Sequence, residues 1–138
     1  VSITGVVTYD PRAAPRRQRI AVRLVVPLAK LLAARPPAQL RRLMGVLAKG
    51  TRPADAQLTT RARAAVVAVS LTCAGPQGCL PRSIATALYC RLRGRWPTWY
   101  VGVRRYPPFG AHAWVEAEGH PIGEPHPPSY HATLFSVG

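Results

Sequence analysis

Acidic side chains are scarce in this chain. It has five, Asp10, Asp55, Glu116, Glu118 and Glu124, against 19 Lys and Arg in 138 residues, for a formal charge of +14. Any chemistry that needs a carboxylate must draw on that short set. A phosphate-binding glycine loop is also missing: Gly102 and Gly110 stand alone, which removes the common nucleotide-binding motifs. Cysteines number three, Cys73, Cys79 and Cys90, separated by 6 and 11 positions, with no Cys-x-x-Cys. His126 and His131 are 5 apart but have no nearby cysteine, so no metal-ligand set is assigned and no metal is expected. An odd number of thiols without a secretory signal favours a reducing, cytoplasmic setting. The apolar segment Ile20–Leu32 is interrupted by Arg23, Pro27 and Lys30. It is shorter than the roughly 20 residues needed to cross a bilayer, so no membrane span is expected.

What is present suits one compact domain. Hydrophobic residues make up 48% of the chain, enough to build a core and too many for an extended disordered chain. The charge is uneven: residues 1–63 hold 13 Lys and Arg and 2 Asp (+11), and residues 64–138 hold 6 Arg and 3 Glu (+3). The basic half offers a surface for an acidic partner, or is simply a solvated face.

Residues 1–15, with Pro11 and Pro15, read as a loose lead-in. From Arg16 to about Ala34, Ile20, Leu24, Leu28, Leu31 and Leu32 recur near helical spacing, with Pro27 expected to kink or split the helix. A second helix runs from Pro37 to about Lys49, carrying Leu40, Leu43, Met44 and Leu47 on one face and ending at Gly50. Asp55 can cap a third, reaching about Thr72. After the break Gly75-Pro76-Gln77-Gly78, a helix starts at Cys79 and continues to about Arg93, with Pro81 tolerated in its first turn. The period then shifts towards two. Residues 99–103 and 111–117 read as strands, 118–121 as a turn and 122–124 as a third short strand. The tail 125–138 resists assignment. Helices followed by strands predict an α+β domain: one unit over 1–138, with a helical basic region (1–72) and a helix-plus-sheet core (73–138).

The informative pair is Gly-Cys-Leu-Pro-Arg-Ser at 78–83 and Ala-His-Ala-Trp-Val-Glu at 111–116, with Cys79 and His112 separated by 33 positions. Cys79 stands where a helix begins, and unpaired amides and the helix dipole there favour a thiolate. Cys73 and Cys90 fall inside apolar helices and read as buried small hydrophobes. His112 shares a strand face with Trp114 and Glu116, whereas His120, His126 and His131 fall in turn or proline-rich segments and look exposed. A thiol and an imidazole need a third group to orient the base. Glu116 shares the face of His112 but lies four residues up the strand, about 13 Å away. Glu124, on the returning strand, can come alongside the imidazole and is preferred.

At Cys79-Leu-Pro-Arg-Ser-Ile-Ala, Val101-Gly-Val-Arg, Phe109-Gly-Ala-His-Ala-Trp-Val-Glu and Gly119-x-Pro-Ile, the chain resembles the lasso-peptide maturation B2 proteins. These are leader peptidases in the transglutaminase-like branch of the papain-like cysteine enzymes. The resemblance spans about residues 60–125. It implies Cys79 as nucleophile, His112 as general base and a papain-like core with the cysteine helix packed on an antiparallel sheet. The family usually places Asp at the third position, where this chain has Glu124. The implied reaction separates leader from core in a ribosomally made precursor, needs no cofactor, and leaves the core amine for a separate lasso cyclase. The 78 residues before Cys79 do not read as the strand-rich start of a winged recognition module. A discrete peptidase is therefore expected, acting with the precursor peptide and a separate leader-recognition protein, for which the basic half is a docking surface. Three other readings stay open. One is a nucleic-acid-binding protein using Arg16, Arg17, Arg19, Arg41 and Arg42, the others an adaptor that has lost turnover and a transferase using the same thioester. Under the peptidase reading, no nucleic-acid partner is expected.

Overall fold

The computed structural model describes residues 15–138, so the lead-in expected over 1–15 falls outside them apart from Pro15, as does Asp10. The fold is α+β, with helices first and a small antiparallel sheet afterwards.

The helical part consists of α1 (Arg16–Ala33), α2 (Pro37–Ala48), α3 (Ala56–Val69), α4 (Leu71–Ala74) and α5 (Cys79–Arg91). Their starts follow local rules. Pro37 opens α2 at a position where the missing N–H costs nothing. The Asp55 carboxylate accepts from the Leu58 N–H at 2.7 Å and caps α3. The expected run from Asp55 to Thr72 is broken instead at Ser70. That residue leaves the helical conformation, and its hydroxyl accepts from the Cys73 N–H at 3.2 Å, starting α4 afresh.

Helix α1 corrects two expectations. Pro27 does not split it, since one helix runs through that residue, whose side chain is exposed. Its inward face is also different: Val22, Val25, Val26, Ala29 and Leu32 are buried. Ile20, Leu24, Leu28 and Leu31 are 51%, 68%, 44% and 64% exposed. The helix carries apolar residues on two faces, so helical spacing alone cannot decide between them. Small and β-branched side chains on the inward face suit close packing against α5 and α3.

Helix α5 is the centre of the molecule. Ser83 through Cys90 are all buried, enclosed by α1, α3 and the sheet. Two short strands, β1 (Arg52–Pro53) and β2 (Arg95–Trp96), pair in parallel and tie the chain entering α3 to the chain leaving α5. The main sheet has the order β5-β4-β3-β6, from β3 (Thr98–Arg104), β4 (Ala111–Ala117), β5 (His120–Pro121) and β6 (His131–Val137). The third short strand is therefore His120–Pro121, inside the expected turn, and Ile122–Glu124 follow it outside any strand, though the Ile122 N–H still bonds to the Val115 carbonyl at 3.0 Å.

Strand β6 had no signal in the sequence. Pro125, Pro127 and Pro128 precede it, and its pairing with β3 slips between Val101 and Gly102, which spoils the alternation of inward and outward residues. A short 3₁₀ turn, Pro128–Tyr130, delivers the chain into it.

Trp99 of β3 joins sheet to helix. It is fully buried, its indole N–H donates to the Ser83 hydroxyl at 3.0 Å, and its ring lies 5.8 Å from that of Phe135. Trp99→Ala should destabilise the protein by about 3–5 kcal/mol, the usual cost of emptying a large aromatic site. Urea unfolding measures this; a loss below about 1 kcal/mol would mean the site collapses freely.

Candidate active site

The site forms where the start of α5 meets β4 and the segment after β5. The loop before α5 approaches the end of α4 so closely that only glycine fits at 78. A Cβ there would overlap the Thr72 carbonyl oxygen and lie 2.9 Å from that of Cys73. Gly78→Ala should therefore shift the backbone that presents Cys79, lowering both melting temperature and thiol reactivity. Unchanged values in both would show that the loop can yield.

The rest of the motif anchors the helix. Arg82 donates to the Cys73 carbonyl at 2.9 Å, and Ser83 donates to the Leu80 carbonyl at 2.9 Å while accepting from Trp99. Cys79 sits at the first position of α5, partly exposed, while Cys73 and Cys90 are fully buried. Burial pushes the Cys73 thiol up and the Cys90 thiol up to about 12, leaving both inert as nucleophiles.

Cys79 differs because His112 reaches it. Burial opposes the thiolate, but a hydrogen bond from His112, one from the Ala113 backbone, and the charges of His112 and Arg82 outweigh it. The thiol falls below its ordinary 9.0. Burial equally opposes the imidazolium. Hydrogen bonds to Cys79 and Glu124 and the negative charge on both nonetheless raise His112 to about 9. Nε2 of His112 is held by the Glu124 carboxylate, which leaves Nδ1 to face the sulfur. Both shifts stabilise the folded protein, with opposite dependence on pH. The His112 contribution is full below about pH 6.5 and vanishes as pH rises through about 9. The Cys79 contribution is present above 9.0 and fades as pH falls through its lowered value.

Of the two candidate carboxylates, Glu124 is brought to His112. Glu116 instead accepts from the Trp114 indole N–H at 2.9 Å. Glu118 accepts from the Ala56 N–H at 2.7 Å, outside the site. The pairing of β4 with β5, continued by Ile122, carries Glu124 back along β4 towards His112. Arg63 of α3 lines the same small cavity as Glu124 and Arg82; burial lowers its pKa, Arg82 lowers it further, and Glu124 opposes both. Nothing in the sequence pattern singled out Arg63.

One histidine lies where the sequence did not suggest. His131, expected at the surface, is partly buried, with its ring centroid 4.6 Å from that of His112. His120 and His126 are exposed as expected. Among the described residues no group of three or more His, Cys, Asp or Glu side chains is placed to hold a metal ion.

A thiol at a helix start, an imidazole on a neighbouring strand and a carboxylate behind it form a recurring arrangement for acyl transfer. The family model of the transglutaminase-like superfamily matches residues 22–136, from α1 into β6. The chain belongs to the transglutaminase-like superfamily. Cysteine-protease and transferase activities are common in that superfamily, and the match reaches well beyond the motif pair into both the helices and the last strand. No curated protein and no solved structure shows significant similarity to the chain. Among the described residues, no helix is long and apolar enough to cross a membrane.

Proposed function

We propose that the protein is a cysteine peptidase that removes the leader from a ribosomally made lasso-peptide precursor in the cytoplasm. It would act as a single domain beside a separate leader-recognition protein. The observation that carries this reading is the contact of Cys79, at the first position of α5, with a His112 whose far nitrogen is held by Glu124. The substrate class rests on the motif resemblance.

His112 and Cys79 form an imidazolium–thiolate pair. Sulfur attacks the carbonyl carbon of the last leader residue, and the carbonyl π electrons move to oxygen. Backbone N–H groups in the first turn of α5, which have no intrahelical partner, stabilise that oxyanion, each donor being worth about 2.7–4 kcal/mol. The C–N bond then breaks, and the core amine leaves with the proton from His112. A thioester joins leader to Cys79. Neutral His112 takes a proton from water, hydroxide attacks the thioester, and the leader departs as a free acid while sulfur regains its charge. Glu124 holds the ring throughout and balances its positive charge whenever it is protonated.

The pH dependence follows from the same pair. kcat/KM should fall above about pH 9, where His112 loses its proton. On the acid side it should fall as the thiol is protonated, at a pH below its ordinary 9.0. A plateau continuing well beyond pH 9 would argue against an imidazolium as the acid.

Mass spectrometry of a precursor incubated with the protein, with and without a leader-recognition protein, tests the proposal. The expected products are an intact core with a free N-terminus and a leader ending in a free carboxylic acid. Transfer of the leader to an added amine would instead assign a transferase.

A further inference from the structure

Strands β4 and β6 lie on either side of β3, so their backbones are two strand spacings, about 9.5 Å, apart. Side chains on them meet only if nothing rises from β3 between them. Gly102 provides that gap. It pairs with His112 on β4, and its neighbour on the same face, Arg104, pairs with His131 on β6. A Cβ on Gly102 would overlap the Ala132 carbonyl oxygen and come within 3.0 Å of the Trp114 ring edge.

Over this bare stretch three rings assemble. The His131 ring lies 4.6 Å from His112 with 21° between planes, and Trp114 lies 5.8 Å from His112 at 15°. His131 and Trp114 are only 5.3 Å apart, so both cover one side of His112 rather than sandwiching it.

Building on the reading of Cys79 and His112 as the reactive pair, we propose that His131 is a positioning residue: its ring lies face to face on His112 and fixes the plane in which His112 spans Cys79 and Glu124. The bonds at the two nitrogens hold the ring at its edge, and a flat neighbour resists tilting out of that plane. The arrangement works while His131 is neutral. The groups that face it are His112 from β4, Arg104 from β3, His126 from the preceding loop, and Glu124, the one carboxylate among them. Burial first, and then the positive charges of His112, His126 and Arg104, lower the pKa of His131 against the opposing pull of Glu124. In acid, a proton on His131 places a second positive ring against the first, and the stack loosens. The surrounding aromatics hold His131 itself. Tyr130 meets it edge to face at 5.0 Å, His126 stacks on Tyr130 at 3.9 Å, and Arg104 lies over the Tyr130 ring.

The test is the rate at which iodoacetamide alkylates Cys79, located by peptide mapping and followed between about pH 4 and pH 8. It needs no peptide substrate, so it stands even if leader removal is never seen. Wild type, His131→Phe and His131→Ala are compared, with thermal melts showing that each is folded. His131→Phe should keep wild-type alkylation near neutral pH and sustain it further into acid, because its ring cannot be charged. His131→Ala should slow alkylation by about tenfold to a hundredfold, the usual cost of a small misplacement of reacting groups. Where turnover is measurable, that loss should fall on kcat rather than KM. Wild-type alkylation and pH profile in a folded His131→Ala would overturn the proposal. So would a folded His131→Phe that behaves like His131→Ala, since a flat ring alone would then not serve.

Discussion

Cys79→Ala and His112→Ala are each expected to abolish the proposed peptidase activity, lowering turnover by on the order of 10⁶-fold, as when a nucleophile or its base is removed from such a unit. Both should leave the protein folded. Cys79 is partly exposed and its side chain is small, so alanine leaves no large cavity. His112→Ala separates the two roles. It leaves Cys79 in place but removes the hydrogen bond and the charge that favour its thiolate, so the thiol should return towards its ordinary 9.0. The losses should not add in the double variant, because sulfur and imidazole act as one unit. Cys73→Ala and Cys90→Ala should retain turnover and lose only stability, since both thiols are buried away from the pair. Peptide turnover measured beside urea unfolding distinguishes these cases; retained turnover in Cys79→Ala would end the covalent mechanism.

Glu124→Ala carries the second large effect. Without the carboxylate, nothing selects the ring nitrogen that faces Cys79, and the positive ring loses its closest counter-charge. A fall in kcat on the order of 10⁴-fold is expected, as for other orienting carboxylates. Glu124→Asp should recover part of it, because a shorter arm still accepts from Nε2 after a small shift of the segment that follows β5. Glu116→Ala should matter much less, since Glu116 serves the Trp114 indole. The discriminating result is the ratio of the Glu124 and Glu116 losses. If Glu116→Ala is the more damaging, the third member has been misassigned.

The parts of the site readable in sequence are those governed by local rules. A glycine break and a proline in the first turn mark the start of α5, and strand alternation puts His112, Trp114 and Glu116 on one face. Strand length alone rules against Glu116 and favours a residue on the returning strand, and Glu124 is the carboxylate bonded to His112. What was hidden depends on neighbours far along the chain. The ring of His131 reaches His112 across Gly102 only because β6 pairs with β3, and prolines and a register slip mask β6. Arg63 comes from α3, with no spacing to connect it to Glu124. In α1 the leucine stripe is the stronger hydrophobic signal, yet the valine and alanine face packs inward, because fit against α5 outweighs side-chain size. At Ser70, the backbone turns extended and ends a helix that apolar periodicity would have continued, and one capping hydrogen bond starts the next.

The proposed chemistry rests on a thiolate at Cys79 sustained by His112. Its most direct test is the ultraviolet absorbance of thiolate, recorded as a pH titration of wild type minus Cys79→Ala and repeated in the His112→Ala background. Thiolate signal is expected in wild type below the ordinary thiol value of 9.0, moving up towards that value without the imidazole. A wild-type titration centred on 9.0, or one that does not respond to loss of His112, would contradict it.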